Sequence, residues 1–102
     1  MSAIIAIDQR IIRREGFVGG QPHIAGHRIT VKQIVVWHDL MGKSPDEIAS
    51  EYNLTLSDVY AALYYFHENP AEIHDAIRQE LALVANGKLR SPSKLQSKLH
   101  AV

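Results

Sequence analysis

The segment Gly19 to Val31, GGQPHIAGHRITV, constrains this chain most, because it forces repeated changes of direction within thirteen positions. Gly19-Gly20 and Pro22 punctuate its entry. Ile24-Ala25-Gly26-His27 reads as a tight turn, since glycine supplies a positive φ at the third position of a type II or I′ turn. His27 to Ile29 forms the return arm; its side chains alternate, so an inward Ile29 sends Arg28 to solvent or to a partner. Pro22 has no amide to donate to a ladder and places this ribbon at a sheet edge. Upstream, Ala3 to Ile7 is an apolar run with neither a basic start nor a cleavage pattern, and reads as a strand rather than a targeting segment. Gln9 to Ile12 reads as a second short extended piece, and Gly16 to Pro22 as a loop.

Beyond the ribbon the pattern turns helical. Thr30 is placed to cap a first helix, Val31 to Met41, with Val31, Ile34, Val35 and His38 on one face, Trp37 beside it, and Gly42 as a left-handed terminator. Ser44-Pro45-Asp46-Glu47 opens a second helix: Ser44 accepts from a first-turn amide, Pro45 loses nothing at the first helical position, and Glu47 completes a capping box. That helix ends near Tyr52-Asn53. Thr55-x-x-Asp58 repeats the box for a third helix, whose predicted core face is Leu56, Val59, Ala62, Leu63 and Phe66. Asn69-Pro70-Ala71-Glu72 starts a fourth, with Ile73, Ala76, Ile77, Leu81 and Val84 as its apolar stripe and Asn86-Gly87 as its close. The reading is a mainly α fold: a homeodomain-like helix-turn-helix bundle of four to five helices preceded by a short β-strand or β-hairpin segment. One domain covers 1–87, with the β segment at 1–30 and the bundle at 31–87, and a basic tail follows at 88–102.

The formal net charge is zero, but it is unevenly spread. Residues 1–43 carry six basic and three acidic side chains; residues 44–86 carry Arg78 against eight acids; residues 87–102 carry four cations and no acid. The third helix, as the second of a helix-turn-helix pair, is the one that would enter a DNA groove. Its predicted outward face holds Ser57, Tyr60, Ala61, Tyr64 and Glu68, with no arginine, lysine, asparagine or glutamine to read base edges, and its acids repel phosphates. If DNA is bound, Arg28 and Lys32 are the better candidates, with Ser57, Tyr60 and Tyr64 as the helix's own contribution. Tyr60, Tyr64 and Tyr65 around the third helix read either as the rim of the core or as a protein interface, and with Leu95 and Leu99 in the tail they are the candidates for a protein partner.

No catalytic constellation is legible. The carboxylates sit at helix starts or on helical faces, where capping and the helix dipole account for Asp46, Glu47, Asp58 and Glu72. Gly19-Gly20 lacks the lysine and helix of a phosphate loop. Of the six histidines, His23 and His27 straddle the turn and His67 and His74 sit on adjoining helices, but none has zincin spacing, and there is no cysteine. No cofactor or metal is expected. The cysteine-free composition and the lack of a bilayer-spanning apolar run suit a cytoplasmic protein.

The ordered series Gly19-Gly20-Gln21-Pro22, Ile24, Gly26, Arg28-Ile29 and Val31, then Gly42-x-Ser44-x-x-Glu47-Ile48, Leu54-Thr55, Val59, Ala62 and Leu63, resembles the domain-of-unknown-function 433 (DUF433) family from Ile11 to about Ile73. Two positions depart from its pattern: His27 stands where a small hydroxyl residue is common, and His23 where an apolar or small one is. The resemblance implies a homeodomain-like helical fold behind a short β element. It also implies an antitoxin-like role in a prokaryotic toxin–antitoxin pair, opposite a PIN-like ribonuclease toxin. The resulting expectation is a non-catalytic protein, dimeric through its N-terminal β segment, that binds a partner protein and in addition DNA at its own operon. The alternative is a stand-alone DNA-binding transcriptional regulator.

Overall fold

The computed structural model describes residues 10–87. The strand expected over Ala3 to Ile7 and the basic tail, with Leu95 and Leu99, lie outside that range. Within it, a two-stranded antiparallel ribbon precedes four helices: β1 (Ile11–Ile12), β2 (His23–Ile24), α1 (Val31–Val35), α2 (Pro45–Tyr52), α3 (Leu56–Glu68) and α4 (Pro70–Ala85).

Ile11 pairs with Ile24 and Ile12 with His23. The turn at Gly26 closes as the sequence suggests, with φ +81° at Gly26 and the His27 amide donating to the Ile24 carbonyl at 3.0 Å. The return arm then bonds back, the Ile24 amide donating to Ile29 (2.9 Å) and the Val31 amide to Pro22 (2.9 Å). Between the strands, the expected loop contains a 3-10 turn, Val18–Gly20.

Three of the four helix starts carry full reciprocal capping boxes: Thr30 with Gln33, Ser44 with Glu47, and Thr55 with Asp58. Each satisfies two otherwise orphaned amides, a contribution of about 1 kcal/mol per cap. The fourth start departs from expectation. Only Asn69 separates α3 from α4, so one residue serves two helix ends, and its side chain donates to the Tyr65 carbonyl, closing α3, rather than capping α4.

The first helix also differs from an uninterrupted Val31–Met41. After α1 the chain widens into a π turn over Val36–Leu40, the Met41 amide reaching the Val36 carbonyl at 3.0 Å. Such widened turns reposition side chains along a helix. Here the turn accompanies a face-to-face stack of Trp37 on Tyr52 (centroids 3.9 Å apart, planes 2° apart) and a bond from His38 Nδ1 to the Lys43 carbonyl (2.8 Å).

The core gathers Ile24 from the ribbon, Val31, Ile34 and Val35 from α1, Ile48 from α2, Val59, Ala62 and Phe66 from α3, and Ile73 from α4. Helix α3 is the hub, touching the ribbon and all three other helices. Its covered arc is therefore wider than a single stripe, which corrects two expectations. Ala61, assigned to the outward face, is buried, while Leu56, assigned to the core, is 43% exposed. Leu56 sits on the free side because it lies four and eight residues before Tyr60 and Tyr64, on the same helical row.

Candidate functional site

Two surfaces stand out, one on the ribbon and one on α3. On the ribbon, Phe17 lies half-buried at the mouth of the 3-10 turn. The Arg14 and Arg28 guanidiniums both lie over its ring, at 4.7 and 4.8 Å from the centroid, and the buried His23 ring tilts against it at 4.8 Å. His23 donates from Nδ1 to the Gln21 carbonyl (3.0 Å), so its position is structural. Arg14, Phe17, His23, Gly26, His27 and Arg28 enclose a cleft of about 240 Å³. Arg28 also walls a neighbouring depression of about 470 Å³, whose lining includes Gln21, Gln33, Trp37 and Tyr52.

The 3-10 turn that follows Phe17 is left-handed: Val18, Gly19 and Gly20 have φ of +44°, +67° and +74°. Glycine adopts that region freely, but a β-branched valine does so at a cost of about 1–2 kcal/mol. Replacing Val18 by glycine should therefore leave stability within about 1 kcal/mol of the parent, because relief of strain offsets glycine's larger unfolded-state entropy. Urea titration of V18G checks this, and a loss above 2 kcal/mol would show that the Val18 side chain is needed for packing.

Helix α3 presents the second surface. Leu56, Tyr60 and Tyr64 are 43, 55 and 52% exposed and share one row of the helix, with Ser57 exposed beside them. Tyr65 does not join them. Its hydroxyl donates to Glu72 (2.8 Å) and accepts from Arg13 (2.7 Å), tying β1's flank to α4, and burial together with the Glu72 carboxylate pushes that hydroxyl's pKa up.

The charge segments recognised in the sequence pair with one another in part. Arg10 pairs with Asp58 (2.8 Å), Arg13 with Glu72, Lys32 with Glu80 (2.6 Å) and Lys43 with Glu51 (2.6 Å). Arg78 meets Asp75 within α4. Four of the eight acids between residues 44 and 86 are thus engaged by the basic N-terminal half. Lys32, a nucleic-acid candidate from the sequence, is held by Glu80 on the wall of the larger depression. Among the described residues, no group of three or more His, Asp or Glu side chains is placed to hold a metal ion; His67 and His74 instead pack their rings against Phe66. No helix among them is long and apolar enough to cross a membrane.

A family model described as "Protein of unknown function (DUF433)" matches residues 11–66, more than half of the chain. The chain belongs to the DUF433 family. The crystal structure of a DUF433 member protein from Anabaena variabilis ATCC 29413 shares 29% identity with it, covers 76% of each chain and superposes with a TM-score of 0.66. No curated protein matches the chain in sequence.

The family match runs from β1 through most of α3, so both surfaces belong to the DUF433 unit, while α4 lies beyond it. Sequence reasoning singled out Arg28, Tyr60 and Tyr64 as candidates and passed over Arg14, Phe17 and His27. The available signal was the Arg-x-x-Phe spacing before Gly19-Gly20, which sets a cation within reach of a ring at a reversing loop.

Proposed function

We propose that this DUF433 protein is a non-catalytic, antitoxin-like component that acts in the cytoplasm by binding a partner protein. The observation that carries this reading is the exposed Leu56–Tyr60–Tyr64 row on α3. Tyrosines on a rigid helix supply large contact area at low entropic cost, and such residues dominate binding energy at protein interfaces. The family resemblance supplies the partner class, a PIN-like ribonuclease toxin, and the N-terminal β segment supplies the expected route to a homodimer. A stand-alone homeodomain-like regulator reading DNA through α3 has less support. Its open row of Leu56, Tyr60 and Tyr64 offers no bidentate donor to a base edge.

Co-expression with the product of the neighbouring reading frame, followed by light scattering on the purified complex, tests the proposal. The expected outcome is a stable complex of two copies of this chain with its partner. The Y60A/Y64A variant should weaken it by about a hundredfold, the effect of two interface anchors. A strictly monomeric protein that forms no complex, or a complex indifferent to both tyrosines, would overturn it.

A further inference from the structure

Among the described residues, the pattern of ion pairing isolates one place. The described residues of the N-terminal half include six cations, Arg10, Arg13, Arg14, Arg28, Lys32 and Lys43. Four of them meet a carboxylate on a helix. Among the described residues, the two that pair with no carboxylate, Arg14 and Arg28, converge on the same ring, that of Phe17. Chance placement of surface arginines would scatter the unpaired cations. Here they are brought together.

A cation held over an aromatic face is positioned without being neutralised, because the ring offers a quadrupole rather than a counter-charge. Both guanidiniums are exposed, so their donor forks remain open to a ligand. His27 lines the same cleft, and no carboxylate does. Glu15, next to Arg14 in the chain, forms no ion pair with either arginine. The backbone on one side of the cleft is tied down by hydrogen bonds. The Gly26 turn is hydrogen-bonded across its mouth, and the ribbon is pinned to the first helix by the Val31-to-Pro22 bond. Planar guanidinium forks engage phosphate oxygens bidentately, and two of them meet here over one ring.

We propose that the cleft formed by Arg14, Phe17, His27 and Arg28 is a phosphate-binding site for a nucleic acid strand or a free nucleotide. Arg28 is its link to the larger depression, where the flat Trp37–Tyr52 stack forms part of the wall. A phosphate held between Arg14 and Arg28 would thereby place an attached base or sugar towards an aromatic surface. This site is separate from the Tyr60–Tyr64 row and stands whether or not a protein partner occupies α3.

The test uses the full chain and a fluorescein-labelled 20-base-pair DNA duplex, followed by anisotropy from 50 to 200 mM salt, with AMP and inorganic phosphate titrated in parallel by calorimetry. R14A/R28A is expected to weaken duplex binding at least tenfold at 50 mM salt. It should also flatten the salt dependence by about one to two units of slope, as loss of one or two phosphate contacts requires. R14K/R28K, which keeps the charge and loses the forks, should retain most of the slope and confirm that the substitutions are tolerated by the fold. Saturable AMP binding that R14A/R28A abolishes identifies the source as a free nucleotide; duplex binding alone identifies a nucleic acid. Because residues 88–102 add four cations, K94A/K98A is measured alongside. The proposal is overturned if K94A/K98A removes duplex binding while R14A/R28A leaves it intact, or if the wild type binds none of the three probes at 50 mM salt.

Discussion

Ile34→Ala is expected to lower the unfolding free energy by about 3 kcal/mol, the middle of the range for truncating a fully buried branched side chain. Ile34 has no solvent exposure and lies in α1, which packs against both α3 and α4. The cavity left by the substitution would therefore face two helices, and neither can move inward without opening its contact with the other. A domain of this size has about 5–10 kcal/mol of stability to lose, so the variant should stay folded but melt well below the parent. Urea unfolding with an unchanged slope and a lower midpoint is the expected result. A loss below 1 kcal/mol would mean that the helices close over the gap and that the core is not organised around α1.

Asp58→Ala is expected to cost about 1.5 kcal/mol, for two reasons of unequal size. The carboxylate accepts from the Thr55 amide (3.0 Å) and completes the α3 capping box, worth about 1 kcal/mol. It also receives Arg10, but that side chain is 37% exposed, so solvent screening leaves the pair the smaller contribution. The same residue ties stability to pH. Burial pushes the Asp58 carboxyl up, but the Thr55 amide, the Arg10 guanidinium and the Thr55 hydroxyl together outweigh it and hold its pKa below the ordinary carboxylate value. A group depressed on folding stabilises the native state above its unfolded pKa, about 3.9, and that contribution is lost as pH falls through the lower folded value. Asp58→Asn, which keeps the shape and removes the titration, should show a smaller stability loss between pH 4 and pH 2 than the parent. Thermal melts over that range measure the difference. Parallel curves for the two proteins would remove Asp58 from the acid response.

The parts of this fold that could be read in advance are those whose partners lie within four residues. Ser44 with Glu47, and Thr55 with Asp58, announce helix starts because the side chain and the amide it satisfies are neighbours in the chain. Asn53 in the left-handed region (φ +57°) and the Gly26 turn follow from backbone sterics at single positions. Asn69 shows the limit of that logic. Its local signal is a helix cap, but the immediate abutment of α4 on α3 gives its side chain a different carbonyl to satisfy.

The surfaces were harder to read. The exposed tyrosine row was visible as a helical period, yet which side of that period faced out depended on how many neighbours α3 acquired. Ala61 and Leu56 exchanged places for that reason. The charge asymmetry was visible as well, and its use was not: Arg10 and Asp58 are 48 positions apart, and Arg13 and Glu72 are 59 apart.

Caps, turns and the order of helices were written into this chain by itself, because short-range hydrogen bonding and backbone sterics need no distant partner. Only the tertiary structure decided which acids would be matched by which bases, and that Arg14 and Arg28 would be left together over Phe17. Side chains that far apart in the chain meet only after burial of Ile24, Ile34, Val59 and Ile73 has brought ribbon and helices into contact. Electrostatic pairing then acts among the neighbours that packing has chosen.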